Sequence, residues 1–245
     1  MTPPQPRIVA ELGRPVYLDE PWHSLGGRMI REVVYGATDG LVTSLGFVIG
    51  VFGALADSRI ILITGIAECV AGALSMGCSA FISSKSQREF FLAEIERERR
   101  EIREMPEKER DEIRKIYRAK GFEGEDLEMV VRRITADPKV WLRVMMEEEL
   151  GLIVDSFDNP WVVGGVTAGS YASAAFLPII PYLLMPPAGA YLWSVGVSIG
   201  VLFLLGAGRT FLTKTPPLKS GLEMLLIGLL AAGVGYGIGR LAGLI

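Results

Sequence analysis

The sequence predicts an all-α integral membrane protein: five transmembrane helices, with a cytoplasmic helical domain inserted between spans two and three. Three observations predict it. Of the 245 residues 50% are hydrophobic, and these are gathered into five runs of about 20 residues or more, the length a helix needs to cross a bilayer. The charged residues collect between the second and third runs. Small residues recur at helical spacing inside the runs, as they do where helices pack closely in lipid. The mean hydropathy of +0.36 and net charge of −3 are averages over these unlike parts.

The chain divides into an N-terminal segment (1–31), spans one and two (32–82), the insert (83–159) and spans three to five (160–245). The N-terminal segment is polar and contains prolines. It lacks the apolar stretch and small-residue cleavage site of a signal peptide, so the first span is expected to act as its own insertion signal. The spans are read at about 33–56, 60–82, 161–185, 188–211 and 220–243. Arg28 and Arg31 precede span one, "ADSR" after it holds only Arg59, and "LMPPAG" after span three is uncharged. "RTFLTKTPPLKS" after span four holds Arg209, Lys214 and Lys219. Short basic loops face the cytoplasm, which puts the N-terminus and the insert inside and the C-terminus outside or in a lumen. The membrane is expected to be a cell membrane or a vacuole-type membrane.

The second span's helical pattern continues through "SKSQREFFLAEIERERREIREM" to Pro106, which cannot extend the hydrogen-bond ladder. A second helix of the insert is expected from Pro106–Glu107 to just before Gly121, and a third over about 125–135. Asp137-Pro138 then reads as a cap and first helical position, opening a helix over "KVWLRVMMEEELGLIV". Asn159-Pro160 repeats that signal at span three.

Span one carries Gly36, Gly40, Gly46, Gly50 and Gly53, and span five carries Gly233, Gly235, Gly237, Gly239 and Gly243. Such stripes serve packing within one chain or a dimer seam, and composition does not separate the two. Cys69 and Cys78 lie on opposite faces of span two, about 13 Å apart along its axis. They are too far apart to bridge and are read as packing residues.

One aspartate sits inside span one and one glutamate inside span two: Asp39 and Glu68. An acid at the centre of a membrane helix costs about 2.5–3.5 kcal/mol on insertion scales; it is either a protonated or hydrogen-bonded structural acid of the bundle interior or, by default, part of an ion path or proton relay. With the hairpin turn centred near residue 57 or 58, Asp39 falls level with Met76. Glu68 then lies about 12 Å further toward the outside. Thr43, Ser75 and Ser79 add hydroxyls nearby. No Lys or Arg inside the spans neutralises these acids, so each wants a proton or a cation.

The insert offers a second set. Glu94, Glu98 and Glu101 fall at i, i+4 and i+7 on one helix face, Glu109 and Glu112 at i, i+3, and Glu149 shares a face with Met145 and Met146. Arg97, Arg99, Arg100 and Arg103 can pair with these acids in an ordinary solvated surface. As a metal site, carboxylates with thioether sulfur would favour a first-row transition ion over calcium.

"REVVYGATDGLVTSLGFVIG", "GIAECVAGALSMGCSAFISSKSQ" and the acidic insert ending "WLRVMMEEELGL" together resemble the vacuolar iron transporter family, from about Arg28 to the C-terminus. The resemblance implies a homodimer with the ion path between protomers. It implies export of Fe(II), with Mn(II) and Co(II) as further ions, in exchange for protons and without a prosthetic group. It places Asp39 and Met76 on the path, Glu68 further along it, and Glu94, Glu98, Glu101, Glu109, Glu112, Met145, Met146 and Glu149 in a cytoplasmic metal-binding domain. Glu147 and Glu148 look like additions to that pattern. The expected partners are divalent ions, protons, membrane lipid and a second copy of the chain, and not nucleic acid. Two other classes remain open. A cation channel would use the same path without proton exchange. A membrane-bound di-iron carboxylate enzyme typically needs Glu-x-x-His pairs, which the one histidine, His23, cannot supply.

Overall fold

The computed structural model describes residues 26–152, 159–210 and 215–244. His23, nearly all of the N-terminal segment, the end of the helix expected to reach Val154, and Lys214 lie outside the described residues. Every regular element among those described is a helix: α1 (Gly26–Ala54), α2 (Ser58–Glu104), α3 (Pro106–Ala119), α4 (Gly124–Thr135), α5 (Pro138–Val144), α6 (Pro160–Ala175), α7 (Ile180–Leu184), α8 (Pro187–Gly208) and α9 (Pro217–Ala242). They fall into two compact units, one drawn from Ser83–Asn159 and the other from Leu25–Ile82 with Pro160–Ile245.

In the second of these units α1 is the central helix, packed on α6, α8 and α9. A β-carbon on Gly235 would collide with the carbonyl oxygen of Gly46, and one on Gly239 with that of Gly50. The glycines of spans one and five therefore form a seam inside one chain. Gly36 and Gly40 serve a different neighbour, letting α1 lie against the α6 backbone at Thr167 and Tyr171. Gly233 and Gly237 have no neighbour within 4 Å of such an added atom.

Among the described residues four helices are long and apolar enough to cross a membrane: Met29–Ala54, Ser58–Glu104, Pro187–Gly208 and Pro217–Ala242. The third expected span differs. It is broken into α6, of 16 residues, and α7, of 5 residues. Pro178 and Pro181 have no N–H to give the ladder, and the Ala174 carbonyl accepts from Leu177 N–H at 3.1 Å instead. The break frees carbonyls where no water is at hand, so partners must come from protein. Ser44 Oγ donates to Ala175 O at 2.7 Å, and Ser194 Oγ donates to Pro178 O at 2.7 Å. Both serines are fully buried.

The link between α1 and α2 is only Leu55–Asp57. Asp57 Oδ1 accepts from Arg59 N–H at 2.7 Å, capping α2. From there α2 runs 47 residues. In the insert unit α3 starts at Pro106, and Asp137 Oδ1 accepts from Lys139 N–H at 2.8 Å to cap α5. Ile113, Leu127, Val131, Ile134, Trp141 and Met145 form one apolar cluster, and Ile95, Leu142 and Met146 another. Arg114 Nε donates to Glu128 at 2.6 Å and joins α3 to α4. The helix expected to continue through Met145 leaves α geometry there. Leu150 N–H bonds the carbonyl of Met145, five residues back, at 3.2 Å, and Gly151 follows with φ of 63°.

Candidate functional site

Asp39 is half-buried on α1, and Glu68 and Met76 are half-buried on α2. Neither acid pairs with a Lys or Arg among the described residues. Glu68 Oε1 accepts from the Tyr171 hydroxyl at 2.6 Å, while Oε2 is buried with no hydrogen-bond partner. Met76 packs on the apolar cluster that contains Tyr171 and Cys69. Thr43, Ser75 and Ser79 are exposed on the single chain. Cys69 is buried and Cys78 exposed, and both are free thiols.

Gly36 meets α6 at Thr167, Ser170 and Tyr171, Gly77 meets it at Gly164 and Ala168, and Gly65 faces Ile179 and Val48.

Two residues outside the expected set join this constellation. Tyr171 is 2% exposed, and its ring occupies the space that a side chain at Gly72 would fill. Gly72 stands one helical turn from Glu68, so the slot and the acceptor share a face. The available signal was a lone aromatic within "GGVTAGSYASAA". Glu32 is the second: buried, held by Arg31 Nη2 at 2.8 Å, with Thr167 Oγ1 3.3 Å from its Oε2. It lies two turns before Asp39 on the same face of α1.

In the insert unit the end of α2 supplies Glu98 and Glu101, α3 supplies Glu109 and Glu112, and the wide turn after α5 supplies Glu149. Pro106 ends α2 and starts a new helix, which sets Glu109 beside Glu98. Carboxylate oxygens of Glu98, Glu101 and Glu109 lie within 4.8 Å of one another, as do those of Glu109, Glu112 and Glu149. Glu109 belongs to both triads. Glu98 and Glu109 are 1% and 0% exposed, and Glu98 Oε1 and both Glu109 oxygens have no hydrogen-bond donor other than each other's carboxyl.

Two ionised carboxylates cannot face each other in such a place without a proton or cation between them. Burial first, then hydrogen bonding with Glu109 and the charges of Glu149, Glu109 and Glu101, pushes Glu98 up to about 8. Burial also raises Glu109, and burial together with Glu112 and Glu109 raises Glu149. Met145 and Met146 are wholly buried in the two apolar clusters. Glu94 joins neither triad and pairs with Arg97 at 2.6 Å. Glu148 pairs with Lys120.

A profile of the VIT family matches residues 30–240. Vacuolar iron transporter 1 of Arabidopsis thaliana is 34% identical over 215 residues, covering 87% of this chain and 86% of the relative. The vacuolar iron transporter of Centaurea cyanus is 34% identical over 219 residues, 89% of each. That of Plasmodium falciparum is 33% identical over 227 residues, covering 89% of this chain and 83% of the relative. With matches of this breadth, running through both units, the chain belongs to the VIT family.

Proposed function

We propose that the chain exports ferrous iron and related divalent ions, Mn(II) and Co(II) among them, from the cytosol in exchange for protons. The observation that carries this reading is Glu109, whose two buried oxygens stand where two carboxylate triads meet and have no donor but the neighbouring Glu98 carboxyl. Such oxygens are stable holding a proton or a metal ion, and exchange of one for the other is the chemistry required. The insert captures the ion on the cytoplasmic side, with the sulfur of Met145 and Met146 backing the carboxylates. The ion then passes to Asp39 and Met76 and on toward Glu68, with Thr43 along the path. Protons from the acidic side neutralise the vacated carboxylates.

Two protomers form the path, and α6 with α7 make up the third of five crossings, so the C-terminus is outside or lumenal. The membrane is a cell membrane or a vacuole-type membrane. The relatives are named as transporters, and the chain is a transport protein rather than an enzyme. The test is Fe(II) uptake into proteoliposomes with an acidic interior. Uptake is expected to require the pH gradient, to collapse with a protonophore, and to disappear in a folded Asp39→Asn variant. Equal uptake with and without the gradient identifies a channel, and full uptake by Asp39→Asn removes α1 from the path.

A further inference from the structure

Lys108 has no place in the transport reading, and its surroundings are unusual for a lysine. It stands in the first turn of α3, where the helix dipole favours acids and disfavours cations. Both of its acidic neighbours are on its own helix, Glu109 next to it and Glu112 at i+4. The ammonium lies 3.5 Å from Glu112 Oε1 and 3.7 Å from Glu109 Oε1. Those two acids, with Glu149, are the outer triad. The buried Glu109 oxygen takes no hydrogen bond from this neighbour. So Lys108 neutralises from a distance and coordinates nothing. Metal–oxygen bonds are about 2.0–2.6 Å, well inside the lysine's approach. A divalent ion and Lys108 cannot share the triad, because like charges a few ångströms apart in partly buried surroundings repel strongly. The lysine side chain is 57% exposed and free to swing into solvent. The inner triad shares Glu109, but its other two acids, Glu98 and Glu101, form no ion pair with Lys108. Its Glu101 meets Arg97 only at 4.0 Å, and Arg97 is already bound to Glu94 at 2.6 Å.

We infer that Lys108 is the resident counter-ion of the outer triad, displaced whenever a divalent cation binds there, and that it holds that subsite weaker than the inner one. This rests on the metal-capture reading of the insert and adds a regulator to it. An ion held loosely at the outer triad is easily passed on, and Lys108 returns to the vacated carboxylates as it leaves.

The test uses the full-length protein in detergent, titrated with Mn(II), with the free ion read by electron paramagnetic resonance. Lys108→Gln is expected to tighten one class of sites about 3- to 10-fold, and Lys108→Arg, which keeps the charge, to stay near the parent. Lys115→Gln removes the same charge two turns further along α3, about a Debye length away, and is expected to leave the isotherm in place. In a Glu112→Gln background, which dismantles the outer triad, the gain from Lys108→Gln is expected to vanish. Circular dichroism confirms that each variant is folded. An unchanged or weakened isotherm for Lys108→Gln overturns the inference, and so does a gain that persists without Glu112, which marks a general charge effect. A parent protein that binds no Mn(II) overturns the capture reading itself, and this inference with it.

Discussion

Tyr171 reaches Glu68 across 103 positions of sequence, and that one hydrogen bond decides which Glu68 oxygen is left without a donor. Tyr171→Phe keeps the ring in the slot over Gly72 and removes only the donor. A hydrogen bond to a charged group contributes about 1.5–3 kcal/mol. We expect transport to fall about tenfold while the melting temperature of the purified protein shifts little. Parental transport by the Phe variant would show that the phenol does no more than fill space. Asp39 and Glu68 were legible in the sequence because an acid in an apolar run is conspicuous by its cost. Tyr171, Glu32 and Lys108 were not, for three different reasons. An aromatic in a span looks like packing, Glu32 sits where a span begins, and a lysine among glutamates reads as solvated surface. Each acquires its role only from a neighbour that the chain order does not supply.

The starts of the insert helices at Pro106 and Pro138, and the end of α3 before Gly121, were readable almost to the residue, because these are local signals whose physics needs no partner, whereas the departure from α geometry at Met145 has no such signal. The third span was not readable, since hydropathy counts Pro178 and Pro181 as apolar-compatible while the hydrogen-bond ladder does not. What makes the break tolerable is two serines on other helices, α1 and α8. The glycine stripes carried a similar ambiguity, and their partners resolve it. Gly239→Ala puts a methyl group against the Gly50 backbone, and is expected to lower stability by about 1–3 kcal/mol, the usual cost of overpacking. Gly237→Ala, two residues away with nothing within 4 Å, should cost nothing or stabilise the helix slightly. Thermal unfolding in one detergent checks the pair. Equal destabilisation by both would mean that the α1–α9 seam is not where the structure puts it.

For the protein as a metal carrier, pH enters through the buried carboxylates of the insert. Glu98 titrates near 8, above its ordinary 4.5, so the folded protein holds a proton there that the unfolded chain has released over the range between those values. The sign follows from linkage: the metal-free protein loses stability as pH rises from about 4.5 toward 8, and a bound cation restores it. On the proposed capture reading, metal would also displace that proton. Affinity of the insert for Mn(II) is therefore expected to rise with pH, by up to about tenfold per unit below 8 for one proton released per ion, and Glu98→Gln should flatten the dependence. Titrations at pH 6, 7 and 8 measure both effects, and a pH-independent affinity would remove Glu98 from the metal site.

Of the four long helices, α1 is the most enclosed and α2 the least. Helix α1 is wedged backbone-to-backbone, against α6 through Gly36 and Gly40 and against α9 through Gly46 and Gly50. A helix seated with no clearance on two sides can neither slide nor turn without forcing its neighbours apart. It behaves as the keel of the bundle. Asp39 is fixed to that keel, so in the transport cycle proposed above it would be the stationary post. The travelling parts must be sought among the surfaces that still have room.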